Sequence, residues 1–254
     1  MVWIETIRSE TLSEIMKRIT FEYTKGNLDI AYLLGIYLTD GYVKDERYRK
    51  RGMSMRLRVV DRDIAENVQR VANNLVGQTY NIRKVPPKKA NRQPFYEISI
   101  HNLSLCEWLK NVTGDSKDYM PNFVYTESKE WQKEFLAGLI DGDGWVSVRL
   151  ARKNARPDLP SSWWASIGLC GDSSKYFKDI RKLLTYMNVD HSYTSYYDRA
   201  VDEVRIKTSS FVENDLYFKC ERKAKKVEII KLYHIGQKYN TQPLSLNVVQ
   251  RLDA

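Results

Sequence analysis

Two aspartates, Asp40 and Asp143, each follow an apolar stretch and each precede a glycine. Residues 33–43 and 136–146 align over eleven positions, five of which are identical, and the two stretches lie 103 residues apart. A repeat of this kind indicates two similar structural units. Carboxylates brought together raise each other's pKa unless a cation lies between them. The repeat therefore predicts a divalent-metal site that takes one aspartate from each half.

The stretches before the aspartates are predicted to be helices with a stripe of small residues. Gly35 and Thr39 lie four residues apart in the first stretch, and Gly138 and Gly142 do so in the second. Positions i and i+4 share a helix face. Small residues let two helix backbones approach more closely than the usual ~8–10 Å between axes. We expect the helices to pack along these stripes, which would bring the two aspartates together.

An ordinary role for the aspartates is a turn at the end of each helix, since Asp-Gly is a common turn dipeptide. The helix dipole disfavours a carboxylate at that end, however, and the recurrence of the residue favours a metal role. Asp141 differs, because Leu38 occupies the equivalent position in the first stretch. We expect Asp141 to accept a capping bond or to form a salt bridge.

The rest of the chain predicts the same order of elements in each half. The fold class is α+β: two pseudo-twofold αββαββα repeats, each with helices on one face of a four-stranded antiparallel sheet. The second half is predicted to end in helices over 211–218 and 221–233. The predicted divisions are a helical extension (1–28, with a helix near 11–23), a first repeat (29–115), a linker (116–129), a second repeat (130–220) and a C-terminal helix with a tail (221–254).

The polar face of the two predicted sheets is basic and aromatic. Side chains alternate between the faces of a strand, so the residues between the core positions share one surface. Such a surface suits a sheet in the major groove, where arginine or lysine can read guanine edges or meet phosphates. The candidate DNA-binding residues are Tyr42, Lys44, Ser54, Arg56, Arg58, Trp145, Ser147, Arg149, Arg152, Lys153 and Arg205.

Composition favours a polyanionic partner and excludes a membrane-spanning protein. Lys and Arg total 41 against 32 Asp and Glu, a net charge of +9. The longest apolar run, residues 30–38, is far shorter than the ~20 residues that span a bilayer. The start of the chain does not resemble a secretion signal, and three widely spaced cysteines predict reduced, mostly buried thiols. We expect a cytoplasmic or organellar protein in a reducing compartment, not a secreted one.

Residues 136–144, LAGLIDGDG, resemble the signature of the LAGLIDADG homing endonucleases and depart from it only at Gly142, where the family has alanine. Residues 33–41, LLGIYLTDG, are a looser copy that keeps the glycine and the final Asp-Gly. Two motifs about a hundred residues apart resemble the single-chain form of the family, which acts as a monomer. The resemblance implies that the sheets form a saddle over double-stranded DNA, with the LAGLIDADG helices at the central interface. It also implies hydrolysis of one phosphodiester per strand across the minor groove at a long target, leaving short 3′ overhangs.

The resemblance further implies which residues hold the metal. Asp40 and Asp143, assisted by the backbone carbonyls of Thr39 and Gly142, would bind Mg²⁺ or Mn²⁺. The ions would activate water and stabilise the leaving oxygen, so that no side chain need be the nucleophile.

The resemblance also implies a basic residue near each metal site. Residues 98–101, Ile-Ser-Ile-His, match residues 204–207, Val-Arg-Ile-Lys, so His101 and Lys207 occupy equivalent strand ends. Both are candidate catalytic residues, and both could instead be ordinary solvated residues.

Two alternatives remain open at the level of sequence. The first is an RNA maturase or a DNA-binding protein that kept the fold and lost cleavage. The second is a hydrolase with a substrate other than nucleic acid, which the basic sheet face disfavours. Binding without cleavage would favour the first, and a flat response of DNA binding to salt would favour the second.

Overall fold

The computed structural model describes residues 21–49, 52–87, 93–150, 163–172, 176–196 and 201–238. The chain forms two compact units, residues 1–138 and 139–254. No helix within the described ranges is long and apolar enough to cross a membrane. Most of the predicted helix near residues 11–23 lies outside these ranges, and its last residues, 21–23, are not helical.

The first unit follows the predicted order of elements. Its sheet has the strand order β1-β2-β4-β3, and every neighbouring pair is antiparallel. The elements are α1 (Leu28–Thr39), β1 (Gly41–Asp45), β2 (Met53–Val59), α2 (Arg62–Val76), β3 (Ile82–Val85), β4 (Phe95–Ile100) and α3 (Leu103–Thr113). A 3-10 turn (Asn122–Thr126) leads to α4 (Lys129–Gly142), whose last four residues belong to the second unit.

The second unit repeats the topology, with the strand order β5-β6-β8-β7. Its elements are β5 (Gly144–Leu150), β6 (Trp163–Asp172), α5 (Phe177–Tyr186), β7 (His191–Tyr196), β8 (Val201–Ile206), α6 (Thr208–Glu213) and α7 (Glu221–Lys238). The predicted helix over 211–218 is therefore wrong for its second half. Helix α6 ends at Glu213 because Asn214 caps it and Asp215 takes a left-handed backbone conformation with φ of 50°, which aspartate tolerates.

Strand register confirms the predicted alignment of the two halves. In the first sheet Leu57 pairs with Gly41 on one side and Ile98 on the other. In the second sheet Leu169 pairs with Gly144 and Val204 in the same way. The match of Ile98 with Val204 is thus a true structural equivalence.

Helix α1 is buried on every side, which explains its apolar sequence. All residues from Ile30 to Leu38 are buried, as expected for a helix without a polar face. The side chain of Asn27 caps its start by accepting bonds from the backbone N–H of Asp29 (2.9 Å) and Ile30 (3.2 Å). The helix therefore forms the centre of the first unit and delivers Asp40 at its end.

An aromatic cluster holds the segment before α1 in place. The Tyr23 ring stacks on Trp108 with centroids 5.6 Å apart and meets Phe123 at 5.0 Å. The Tyr23 hydroxyl donates to Glu127, which also accepts from the backbone N–H of Gly26 at 3.1 Å. Residues 21–27, the described part of the predicted extension before α1, therefore pack against other residues of the first unit.

Gly138 on α4 lies in close contact with the backbone of α1. A Cβ built at Gly138 would touch the carbonyl oxygen of Tyr32 and lie 2.9 Å from Ile36 N and 3.1 Å from Gly35 Cα. All three are backbone atoms of α1, so none can move aside like a flexible side chain. The predicted contact between Gly35 and Gly138 is confirmed, and it needs glycine for space.

Gly138→Ala is expected to lower the free energy of unfolding by about 1–3 kcal/mol, because the added methyl group overpacks a backbone contact. In an unconstrained helix the same change stabilises by about 0.5–1 kcal/mol. The sign of the change in a urea titration therefore tests the contact. A gain in stability would contradict the close approach.

Candidate functional site

Asp40 and Asp143 occupy equivalent helix ends. The backbone N–H of Asp40 donates to Ile36 O (3.1 Å), and that of Asp143 donates to Leu139 O (3.1 Å), so each aspartate continues the hydrogen bonding of its helix. Both are half-buried. The Asp143 carboxylate also accepts a long bond from the Tyr176 hydroxyl at 3.4 Å. Each aspartate is thus fixed through its backbone at the end of its helix and keeps part of its surface in solvent.

The glycine after each aspartate lies against the last helical turn. A Cβ at Gly41 would lie 2.7 Å from Tyr37 Cα, and a Cβ at Gly144 would lie 2.6 Å from Ile140 Cα. Tyr37 and Ile140 are equivalent positions of the repeat. In both halves the absence of a side chain lets the strand turn back directly after the aspartate.

A lysine caps the helix end beside each aspartate. In the first unit Lys117 Nζ donates to the carbonyl oxygens of Leu38 (3.1 Å) and Thr39 (2.9 Å). In the second unit Lys223 Nζ donates to those of Ile140 (2.8 Å) and Asp141 (2.6 Å), and lies 3.5 Å from that of Gly142. Leu38 is equivalent to Asp141, and Thr39 to Gly142. Both halves therefore place an ammonium group on the same carbonyls, where the helix dipole favours a cation.

The two lysines reach this position by different routes. Lys117 lies in a loop, is half-buried and has a left-handed backbone conformation with φ of 59°. Such a conformation is uncommon for residues other than glycine and costs energy. Lys223 lies in the first turn of α7 and is only 5% exposed. The same contact is thus made from two different local backbone structures.

The sequence prediction placed other basic residues at this point. His101 lies exposed at the end of β4, and Lys207 forms an exposed ion pair with Asp190 at 3.4 Å. The structure instead brings Lys117 and Lys223 to the helix ends, and sequence reasoning missed both. The alignment of residues 98–101 with 204–207 has an offset of 106 residues, and the same offset pairs Lys117 with Lys223. Extending that alignment past the strand ends would therefore have paired the two lysines.

The predicted metal-binding carbonyls have protein partners. Thr39 O accepts from Lys117, and Gly142 O lies within reach of Lys223. Each carbonyl oxygen has two lone pairs. A metal ion at these oxygens would therefore share them with an ammonium group, which the sequence prediction did not include.

Asp141 has the capping role expected for it. Its carboxylate accepts from the backbone N–H groups of Lys219 and Cys220, both at 3.1 Å, immediately before α7. The residue is 1% exposed. Asp141 therefore anchors the helix that carries Lys223.

The polar face of the first sheet carries the predicted basic residues. Arg58 is exposed, while Tyr42, Lys44 and Arg56 are half-buried. Ser54 lies on the same face but is 3% exposed and accepts from Arg56 Nε at 3.3 Å. It therefore supports Arg56 and is not available as the direct contact that the sequence predicted.

The second sheet carries Arg205, Trp145 and Ser147 on the equivalent face. Arg205 is exposed, and Trp145 and Ser147 are half-buried. The Trp145 ring lies against Gly168, the residue that pairs with Arg205. Arg149 belongs to β5, but its side chain lies outside the described part of the chain, as do Arg152 and Lys153 altogether.

Comparison with known proteins agrees with this geometry. Residues 27–112 match the model of a family described as a LAGLIDADG-like domain, and the equivalent motif ends α4 in the second repeat. Over these residues the chain is similar to the LAGLIDADG family. The LAGLIDADG-like stretches are the two helix ends at which Asp40 and Asp143 lie. The structure adds a lysine beside each of these helix ends.

Two solved structures and one longer protein illustrate what the chain is similar to. The structure described as the homing endonuclease I-WcaI bound to its DNA recognition sequence matches with a TM-score of 0.53 and 13% identity, covering 80% of this chain and 88% of that chain. The LAGLIDADG meganuclease I-AabMI bound to uncleaved DNA matches with a TM-score of 0.51 and 13% identity, covering 87% of this chain and 95% of that chain. A DNA polymerase of Thermococcus kodakarensis is 26% identical over 186 residues, which are 68% of this chain and 10% of that protein. The chain thus spans a tenth of the polymerase, and the two structures show the fold.

Proposed function

We propose that the protein is a site-specific endonuclease that cuts double-stranded DNA and depends on a divalent cation. The observation that carries the proposal is the repeated unit: a half-buried aspartate at a helix end, a lysine on the adjoining carbonyls, and an arginine-bearing sheet that begins at the next residue. Similar proteins have been solved with DNA, which supports the choice of substrate.

The residues fit a hard cation such as Mg²⁺ or Mn²⁺. Asp40 and Asp143 offer carboxylate oxygens, the ligands that such cations prefer. The helix-end carbonyls are already acceptors for an ammonium group in each half, so the two carboxylates would supply the negative charge that holds the ion. A bound ion would activate water and stabilise the leaving oxygen of a phosphodiester.

The chain's own groups would hold the substrate and its developing charge. Lys117 and Lys223 are fixed by two or more carbonyls each, and each lies on the helix end that carries an aspartate. A cation held in place before the reaction stabilises a phosphorane without reorganising. We therefore assign the role of the basic residue to these two lysines, ahead of His101 and Lys207.

Cleavage of a randomised DNA duplex library tests the function. With Mg²⁺ or Mn²⁺ the protein is expected to cut a small subset of sequences in both strands. With EDTA we expect cutting to stop and binding of the selected duplex to remain, because the sheet contacts do not need the ion. Restored cutting on adding Mg²⁺ completes the test.

Two other outcomes would overturn the proposal. Tight binding of a selected sequence without any cut product in either metal would favour a binding protein. Binding that does not weaken with salt would argue against phosphate contacts, since neutralising several phosphates makes affinity fall steeply as salt rises.

A further inference from the structure

Glutamates occupy equivalent positions on the polar faces of both sheets. Glu97 precedes Ile98 on β4, and Glu203 precedes Val204 on β8, so the confirmed equivalence of Ile98 and Val204 makes the glutamates equivalent too. Their exposed fractions are 7% and 8%. A carboxylate on a face suited to phosphate contacts would repel phosphate, so its recurrence in both sheets indicates another role.

Glu97 lies between two arginines that pair with it across the strands. Arg58 on β2 and Arg83 on β3 are its direct neighbours in the register. Arg58 Nε donates to one carboxylate oxygen at 2.6 Å, and Arg83 Nη2 donates to the other at 2.7 Å. Both oxygens of Glu97 are therefore engaged by guanidinium groups.

The two arginines keep most of their surface in solvent. The side chain of Arg58 is 50% exposed and that of Arg83 is 69% exposed, while that of Glu97 is 9% exposed. A guanidinium group has five N–H donors in a planar fork, so a bond to Glu97 leaves outward-facing donors on each. Arg58 also lies over the Phe95 ring, with its Cζ 5.7 Å from the centroid.

Glu203 makes the matching arrangement in the second unit. It accepts from Arg205 Nε on the same strand and from the Tyr196 hydroxyl at 3.2 Å. The Arg205 side chain is 50% exposed and that of Glu203 is 10% exposed. In both sheets a buried carboxylate thus accepts from the Nε of an arginine, and half of that arginine side chain remains exposed.

The carboxylate of Glu97 is ionised at neutral pH. Burial alone would raise its pKa, but the hydrogen bonds from Arg58 and Arg83 outweigh burial and hold the pKa below the ordinary value. A buried charge that is fully paired adds little net stability. It does fix the orientation of its partners, because a charge-assisted bond to guanidinium is strong and directional.

We infer that Glu97 and Glu203 are specificity-determining positioning residues, which hold Arg58, Arg83 and Arg205 for the reading of base edges and withhold them from phosphates. The inference rests on the proposed function. An arginine in a fixed orientation can make the paired bonds to guanine O6 and N7 that discriminate bases. A loosened arginine can follow the phosphate backbone, whose contacts carry no sequence information.

The test is selection from a randomised duplex library with the wild-type chain and with Glu97→Gln, Glu203→Gln and Glu66→Gln. Glutamine keeps the size of the side chain and removes its charge. The matched control is Glu66, which pairs with Arg62 at 2.8 Å on the exposed face of α2. Binding of a random-sequence duplex at several salt concentrations is measured in parallel.

We expect each sheet variant to lose base preference on the order of tenfold at one block of neighbouring positions, the scale of one lost arginine–guanine pair. Glu97→Gln and Glu203→Gln should affect different blocks. Both should bind random duplex several-fold more tightly, with a salt slope steeper by about one. Glu66→Gln should change neither measurement.

The controls separate this inference from the proposed function. A wild-type chain that selects no sequence refutes the function. A wild-type chain that selects a sequence, with both sheet variants selecting it equally well, refutes the positioning role alone. If Glu97→Gln fails to fold, Glu203→Gln tests the same role in the other unit, and an unchanged preference there overturns the inference.

Discussion

Asp143→Asn is expected to reduce the rate of DNA cleavage by about 10²–10³-fold or more while leaving DNA affinity within a few-fold of the wild type. Asparagine is the same size as aspartate but removes the negative charge that would hold a divalent cation. The sheet residues that face DNA in the proposed function are unchanged. The measurement is single-turnover cleavage of a selected duplex, with affinity measured by fluorescence anisotropy in EDTA.

Two companion variants sharpen this result. Asp40→Asn, at the equivalent helix end, should show the same loss, whereas Glu66→Gln on the exposed face of α2 should cut at the wild-type rate. Cutting by Asp143→Asn at the wild-type rate would remove that carboxylate from the catalytic centre. Equal losses of cutting and of affinity would instead make it a DNA contact.

Lys223→Met is expected to have the second large effect, on stability and on cleavage together. The ammonium group is buried and serves the carbonyls of Ile140 and Asp141. Each carbonyl left without its donor costs about 1–3 kcal/mol. Loss of a fixed cation beside the aspartate should slow cleavage by about 10²-fold. Urea unfolding and single-turnover cleavage below the unfolding transition measure the two effects.

Lys117→Met separates catalysis from folding. Lys117 makes the equivalent contacts but is only half-buried, so we expect a similar loss of cleavage with a smaller loss of stability. Lys207→Met, at an exposed strand end with 65% of its side chain in solvent, is the control. If Lys223→Met loses stability while its folded fraction cuts normally, Lys223 is purely structural. If Lys207→Met slows cutting more than either, the sequence prediction was the better one.

Much of the fold could be predicted from sequence because periodicity and repetition reinforce each other. Strand β2, with Met55 and Leu57 fully buried and Arg58 exposed, follows its alternating pattern. The equivalence of Ile98 and Val204 is visible in four aligned residues and holds in the register. The Gly35–Gly138 contact follows from small residues at helical spacing.

The parts that could not be predicted depend on loops and on tertiary contacts. Lys117 reaches α1 from a left-handed loop position, and Lys223 reaches α4 from the start of another helix. The repeat alignment pairs the two lysines, but the carbonyls that their ammonium groups contact depend on the tertiary fold. Glu97 and Glu203 were visible in the alignment, but their role depends on which side chains their carboxylates contact, across the strands for Glu97 and along the same strand for Glu203.

The glycines at 41 and 144 have a consequence for fidelity. No side chain separates the start of each strand from the last turn of the helix before it. The strand that carries proposed DNA contacts is therefore packed directly against the helix end that carries the aspartate. Tyr42 and Trp145, the first outward side chains of their strands, stand two residues from the acids. In the proposed function, a mismatched base pair that displaces such a strand would also displace the carboxylate, so poor fit to the DNA would slow cleavage.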